Sequence, residues 1–560
     1  MIPTLHSASR AIPAPSSPGY STLGKQKLSA WLRFKYSKLA ISNFCVLIAR
    51  GRISSKLFVI WLCLWPWLLQ ASMPNILMIV SEDNGPELGC YGDRFARTPH
   101  LDQLARQGIL FNRAFVPQAG CSQSRASFLT GLYPHQHGQI GLATWGFRLY
   151  RDDTPNLPRS LKAVGYRTGI LGKLHVNPET AFPFDFSEIP TANFARKDLS
   201  NYTKFAESFI TSDDRPFFLS VNYPDAHDPW IRQIDGLPKN PINGSEVQAM
   251  SYMGIDPPGM REMVADYYNS IARLDALVGD LLDALDRSGK AKDTLVIYIG
   301  DHGADMLRGK RTCYDGGLRI PLLIRWPNKI QPQVREELVS TLDLLPTILQ
   351  AAGAARIPDL PGLDLHPLFT THSGPWRTHL FAEYHTHAAS PNYFPQRSIR
   401  TDHYKLIENL LPGEIHPDYT LTLNKLAKEA KRRQIAGGLN LPDEIIKADK
   451  TVREAYERMY QPPRYELYNL ETDPHEFINL ADDPKYEDIL KGLSTKLISW
   501  REETNDPLLN QSHLHRLSEE VRSMKSKEIA KDYRWGYPDY FFGKEPATSK
   551  NPPKKKKSKS

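Results

Sequence analysis

An α/β fold is predicted for most of this chain: a largely parallel sheet covered by helices on both faces, followed by a smaller α+β region. Three observations predict it. Unbroken apolar runs such as NILMIVS (75–81), PFFLSVNY (216–223) and TLVIYIG (294–300) have the length and composition of strands buried on both faces. Segments of helical period lie between them. After about Thr371 the texture changes to short apolar runs set among charged residues, so the alternation of strand and helix ends there.

The elements follow in order. Asn75–Ser81 is the first strand. Thr98-Pro99 opens a helix bearing Leu101 and Leu104, since proline suits the first helical position. Ile109–Val116 is strand-like, a helix follows Cys121, Leu157–Val164 is a helix and Tyr166–Gly172 a strand. Pro216–Tyr223 is another buried strand. Met260–Ser288 is a long amphipathic helix with Ile271, Leu274, Val278, Leu281, Leu282 and Leu285 on one face. Thr294–Gly300 and Leu318–Trp326 are strands. In the second region Tyr404–Ile407 and Tyr465–Leu470 are short strands, and the highly charged 421–460 is helical and superficial. Beyond 510 the chain is polar, and NPPKKKKSKS reads as a disordered tail. The expected organisation is a leader at 1–72, a main domain at 73–371, a smaller domain at 372–510 and a polar, basic tail at 511–560.

Charge excludes one class of partner. The net charge is +8, yet residues 1–72 carry nine Lys/Arg and no acid, and residues 550–560 carry six lysines and no acid. The body between them is therefore net acidic, and the basic balance of the whole is no argument for nucleic acid. Arg50, Arg52 and Lys56 precede the apolar run Leu57–Leu69, and Gln70-Ala71-Ser72 offers small residues for cleavage. This is the layout of a secretory signal peptide, and the run is short for a membrane span. An extracytoplasmic location, secreted or periplasmic, follows. Residues 1–49 are long upstream of such a signal, as a start chosen too early would leave them. Of the five cysteines, only Cys90, Cys121 and Cys313 lie in the body, too few for a disulfide scaffold; a Cys90–Cys313 bridge is open.

The chemistry centres on CSQSRASFLTG at 121–131. Cys121 stands before a helix-compatible run, where backbone N–H groups converge and the dipole favours negative charge. Taken alone, such a cysteine reads as a small buried loop residue. Other residues change the balance. Glu82 and Asp83 follow the first strand, and Asp301 and His302 follow the strand at 294–300, at the sheet edge where ligands bind in open α/β folds. Carboxylates gathered there repel one another unless a cation sits between them, and a hard divalent ion suits their oxygens. Lys173 and His175 follow a third strand, His227 a fourth, and Lys310 lies close beyond Asp301. Singly these are ordinary loop residues; together they give the edge the positive charge and proton donors that an anionic tetrahedral group requires.

These motifs resemble the type I sulfatases of the alkaline-phosphatase superfamily. The resemblance is carried by CSQSRASFLTG, by GKLH, by the Asp301-His302-Gly303 turn and by GKRTCYDGGLRIPLLIRWP at 309–327, and it spans roughly residues 74–510. GKLHVNPETAFPFDF (172–186), DDRPFFLSV (213–221) and YELYNLETDPHEFINLADDP (465–484) resemble the heparan N-sulfatase subgroup. The resemblance implies an alkaline-phosphatase-like fold: a large mixed, mostly parallel sheet flanked by helices, plus a smaller C-terminal α+β domain with an antiparallel sheet. It implies that Cys121 is oxidised to formylglycine by a formylglycine-generating enzyme and acts as its hydrate. One hydroxyl would attack sulfur and displace the amine or alcohol; the second would then expel sulfate and regenerate the aldehyde, which a serine ester has no means to do. It implies one Ca²⁺ held by Glu82, Asp83, Asp301, His302 and residue 121. Arg125 would hold the hydrate. Lys173, His227 and Lys310 would bind sulfate oxygens, with one of them or His175 serving proton transfer. His387 and Arg397 in the second region are candidates for sugar contact.

The chain departs from the family pattern at three positions. Gln123 stands where the maturation motif usually has proline, Glu82 where aspartate is usual, and His302 where asparagine is common. The expected activity is hydrolysis of sulfate groups, with the N-sulfate of glucosamine in heparan-type glycans favoured. The alternatives are O-sulfate hydrolysis on another sulfated glycan, phosphonate monoester or phosphodiester hydrolysis, and a catalytically inactive, secreted glycan-binding homologue. Oligomeric state is not legible.

Overall fold

The computed structural model describes residues 73–370, 374–435, 438–524 and 533–542. The expected signal peptide and the lysine-rich terminus lie outside the described residues. The first sheet comprises β1 (Asn75–Ser81), β2 (Ile109–Phe115), β3 (Arg167–Gly172), β4 (Phe186–Glu188), β5 (Phe217–Asn222), β6 (Thr294–Gly300), β7 (Arg319–Arg325), β8 (Gln333–Arg335) and β9 (Val339–Ser340). Its order is β4-β3-β5-β1-β6-β7-β2-β8, with β9 beside β2. β7 runs antiparallel to β6 and β2, and the other pairs are parallel. The expected mixed, mostly parallel sheet is thus present.

β1 shows why the central strands are apolar throughout. Ile76, Met78 and Val80 enter the core on one face, and Leu77 and Ile79 the core on the other. Side chains alternate along a strand, so the middle of a strand covered on both faces is apolar at successive positions. Each such side chain contributes about 1.5–3 kcal/mol by leaving water. Among the helices, α1 (Pro99–Arg106) begins at its proline and buries Leu101 and Leu104. α2 (Cys121–Thr130) is buried along its whole length. It packs Ala126, Phe128 and Leu129 into the core on the Ile76 side. α3 (Pro258–Arg287) covers the Leu77 side with the six apolar residues expected of it.

The second sheet is antiparallel, in the order β10 (Leu380–Tyr384), β11 (Gln396–Arg400), β12 (Tyr404–Asn409), β13 (Tyr465–Asn469). The helix Glu487–Glu503 lays Leu493, Leu497 and Trp500 on its Ile399, Leu406 and Leu467. A buried ion pair ties this sheet to the turn before β7: Lys405 Nζ lies 2.8 Å from Asp315 Oδ1, with Glu476 Oε1 2.6 Å away on its own side.

Two expectations need correction. The charged stretch around 421–460 is helical, but it is not merely superficial: Leu426, Leu441 and Tyr456 enter the main core. Residues past 510 are not simply a polar tail. α4 (Gln511–Ser523) buries Leu514, Leu517 and Val521 together with Trp535, Tyr537, Tyr540 and Phe541. The i, i+3, i+7 spacing of the three aliphatics was the signal, and the mean composition hides it. Cys90 and Cys313 are free thiols, so the open disulfide is not formed. Among the described residues, no helix is long and apolar enough to cross a membrane.

Candidate active site

β3, β5, β1 and β6 are adjacent, and all four end at one edge of the sheet. Their ends deliver Lys173, Asn222, Glu82 with Asp83, and Asp301 with His302. Asp83 takes φ 48°, a left-handed conformation uncommon outside glycine, and its backbone N–H donates to Asp301 Oδ1 at 2.9 Å. α2 arrives from the Ile76 face and sets Cys121 at its first turn, after Gly120, which contributes no side-chain cap. The thiol lies 3.3 Å from His302 Nε2. His302 Nδ1–H donates to the Gly303 carbonyl at 2.9 Å, which fixes the ring.

Arg125, one turn along α2, is the hub. Its Nη2 donates to Glu82 Oε1 and its Nε to Asp301 Oδ2 at 3.2 Å. Its Nη1 donates to the Lys173 carbonyl and to Asn222 Oδ1, both at 2.8 Å. Two lysines complete the balance. Lys173 Nζ donates to Glu82 Oε2 at 2.7 Å, and Lys310 Nζ to the Asp83 carboxylate at 2.9 and 3.1 Å. Burial works against ionised Glu82, but Arg125 and then Lys173 outweigh it and hold the carboxyl well below its usual range. Lys310 does the same for Asp83 against its burial. Burial would raise the Cys121 thiol, yet Lys173, Lys310 and His302 bring it down to about 6. The position of the sulfur is therefore one where an anion is stable.

The three carboxylates among the donors suit a hard cation. One donor atom each of Glu82, Asp83, Cys121 and His227 lies within 4.8 Å of the others, and so does one each of Cys121, Asp301 and His302. Burial, and after it repulsion from Glu82, pushes Asp301 up to about 6. Asp301 and Asp83 in turn hold His302 up to about 9 against its burial. Crowded carboxylates drawing protons onto one another and onto a neighbouring imidazole are what a divalent ion among their oxygens would relieve.

Cys121 opens into a cavity of about 600 Å³. Lys173, His175, His227 and His387 stand around it, and Leu142, Phe182, Phe184 and Phe194 form apolar walls. His227 Nδ1–H donates to the Asp228 carbonyl at 2.5 Å, and its ring stacks on Phe194 at 3.9 Å. Its Nε2 lies 4.0 Å from Asp83 Oδ2. The Nδ1 atoms of His175 and His387 are buried with no hydrogen-bond partner. Burial and then Lys173 push His175 well below its usual value, and burial and then Lys310 do so for His387. Both rings are neutral hydrogen-bonding groups.

Eleven of the twelve expected positions thus converge: Glu82, Asp83, Cys121, Arg125, Lys173, His175, His227, Asp301, His302, Lys310 and His387. Arg397 does not join them. It is fully buried in a bidentate pair with Asp506, Nε to Oδ2 and Nη2 to Oδ1 both at 2.8 Å, with Glu383 Oε2 3.6 Å away. A guanidinium so held and fully buried is structural, and it does not line the Cys121 cavity. Two contributors were missed. Asn222 ends β5 as Glu82 follows β1, so the strand-end rule that found the others would have found it. Phe194, stacked on His227 and 5.0 Å from Lys173 Nζ, lies in an aperiodic loop with no signal. Gln123 is buried in α2, where its Nε2 donates to the Thr386 carbonyl at 2.6 Å.

Comparison with known proteins gives two family matches: a domain described as Sulfatase over residues 74–354, and one described as N-sulphoglucosamine sulphohydrolase, C-terminal, over residues 300–422. The chain is 33% identical over 487 residues to N-sulphoglucosamine sulphohydrolase from Homo sapiens, covering 79% of this chain and 92% of that protein. A solved structure described as in complex with its substrate D-glucosamine-2-N,6-O-disulfate matches with a TM-score of 0.56 at 19% identity, over 78% of this chain and 99% of that one. Phosphonate monoester hydrolase of Agrobacterium radiobacter matches with a TM-score of 0.56 at 20% identity, over 77% and 96%. At these identities the two structures speak for the fold, which is alkaline-phosphatase-like, and for nothing finer.

Proposed function

This chain belongs to the sulfatase family, and from that premise we propose that it removes the N-sulfate of glucosamine in heparan-type glycans. The observation that carries the reading is the place of Cys121: at the first turn of a buried helix, beside three carboxylates and two lysines, in the lining of the cavity. The preference for N-sulfate is supported by the C-terminal family match and by the human relative.

Glu82, Asp83, Asp301 and His302, with residue 121, would hold one calcium ion. When bound, calcium supplies Lewis acidity toward oxygen. Formylglycine at position 121, made by a formylglycine-generating enzyme, supplies a nucleophilic hydroxyl and a second one for release of sulfate. Arg125 holds Glu82, Asp301 and two strand ends in register, so that position 121 meets the substrate in one geometry. Lys173 and Lys310, which already favour an anion at Cys121, bind sulfate oxygens. His227, whose Nδ1 is anchored on the Asp228 carbonyl and whose Nε2 lies 4.0 Å from Asp83 Oδ2 at the cavity, would protonate the leaving nitrogen. Neutral His175 and His387 offer hydrogen bonds to sugar hydroxyls. The leader fits secretion or export to a periplasm.

The test is sulfate release from N-sulfoglucosamine beside 6-O- and 2-O-sulfated sugars and a phosphonate monoester. Release chiefly from N-sulfoglucosamine is expected. Activity confined to O-sulfates overturns the N-sulfate assignment and leaves a sulfatase. Preference for the phosphonate assigns the site to that chemistry, and glycan binding without turnover makes the chain a non-catalytic homologue.

A further inference from the structure

The loop 138–150 forms one side of the Cys121 cavity, to which it contributes Leu142, Ala143 and Thr144. Its inner edge is held by the site. Ala143 N–H donates to Ser122 Oγ at 2.9 Å, and Leu142 N–H to the His387 carbonyl at 3.0 Å. Its outer edge is held by a segment distant in sequence. Trp535 stacks on Phe147 with ring centroids 4.4 Å apart, and its Nε1–H donates to the Trp145 carbonyl at 2.9 Å. Tyr537 Oη–H donates to the Gly138 carbonyl at 2.6 Å. The backbones meet at Gly146, where φ is 79° and a Cβ would lie 2.5 Å from the Tyr533 carbonyl oxygen, so only glycine allows the approach. The segment is anchored in turn on α4, where Glu520 accepts from Gly536 N–H and, at 2.8 Å, from Tyr540 Oη–H.

We propose that residues 533–542 act as a positioning strap, in which Trp535 and Tyr537 set where Leu142 and Thr144 stand beside Cys121 and thereby govern how tightly the glycan is held. The strap touches neither Cys121 nor the carboxylate cluster. Its effect therefore falls on binding shared by ground and transition states, not on the step at sulfur. The inference rests on the reading that the Cys121 cavity is where sulfate is removed, but not on which sulfate is taken.

The experiment compares kcat and KM of the wild type, Trp535→Ala, Trp535→Phe and Tyr537→Phe on the best substrate of the panel. Hydrogen exchange of the 138–150 amides is measured alongside, and Cys121→Ala is run in parallel. Trp535→Ala is expected to raise KM about tenfold with kcat within about twofold, the mark of lost uniform binding. Amides of the loop should exchange faster. Trp535→Phe, which keeps a ring against Phe147, should restore most of the KM. Tyr537→Phe, which removes one hydrogen bond, should raise KM about two- to threefold and carries the test alone if Trp535→Ala does not fold. Unchanged KM in the folded variants, with turnover abolished in Cys121→Ala, overturns the strap and leaves the site. Turnover that survives in Cys121→Ala overturns the reading on which the strap rests.

Discussion

Arg125 makes four hydrogen bonds, to the residues directly after three of the strands that build the site and to the last residue of a fourth, and among the described residues it is the hub that joins them. Lysine keeps the charge but has no planar fork with which to span Glu82, Asp301 and Asn222 at once. Arg125→Lys is expected to lower kcat/KM by about 10²–10³, the scale of losing a preorganised electrostatic contact. Its melting temperature should also fall, because lysine cannot make all four bonds and each hydrogen bond lost to a charged group costs about 1.5–3 kcal/mol. Steady-state kinetics and a thermal melt on the same preparation check both. At this scale much of the site was legible. Glu82, Asp83, Asp301 and His302 were found because polar residues directly after buried strands have one place to go, the sheet edge. Arg397 was misread for the opposite reason: its partner Asp506 lies 109 residues away, and nothing local distinguishes an arginine facing a sugar from one locked to a distant aspartate.

Among elements, that pair is the joint between β11 and the segment after Glu487–Glu503, and Arg501 Nε joins it at 2.7 Å from Asp506 Oδ2. Burial would raise the Asp506 carboxyl, but Arg397 outweighs it and holds it below its usual range. A carboxyl depressed on folding stabilises above its unfolded pKa of about 3.9, and that contribution is lost as pH falls toward the folded value. Asp506→Asn should therefore destabilise by about 3–5 kcal/mol at pH 7. The gap to the wild type should narrow as pH drops below about 4. Denaturant unfolding at several pH values measures it; a gap that widens on acidification contradicts the assignment. The elements that were legible are those buried on both faces, β1, β5, β6 and β7, whose apolar runs bound them to within a residue or two. β4, β8 and β9 were not, since strands of two or three residues have no period to read. β10 and β11 were lost because polar and charged residues occupy buried places in them, such as Glu383 and Arg397, each held by an ionic partner no local pattern shows.

On the scale of the whole molecule, the carboxylate cluster proposed to hold the cation also closes the sheet edge, so occupation of the cation site and stability of the fold should be linked. Calcium at about 100 times its dissociation constant is expected to stabilise the protein by about 2.7 kcal/mol and to raise the melting temperature accordingly. A chelator should remove that increment together with turnover, and calcium should restore both; a melting temperature indifferent to calcium would contradict the proposed ligands. The central claim concerns Cys121, which is read as the precursor of the working group. Gln123 fills the place where the maturation motif usually has proline, and in the fold it is spent on the Thr386 carbonyl. Mass spectrometry of the peptide containing Cys121, from active protein made in its native host, tests the claim most directly. A formylglycyl residue at position 121 is predicted; an unmodified cysteine in protein that still releases sulfate would contradict it.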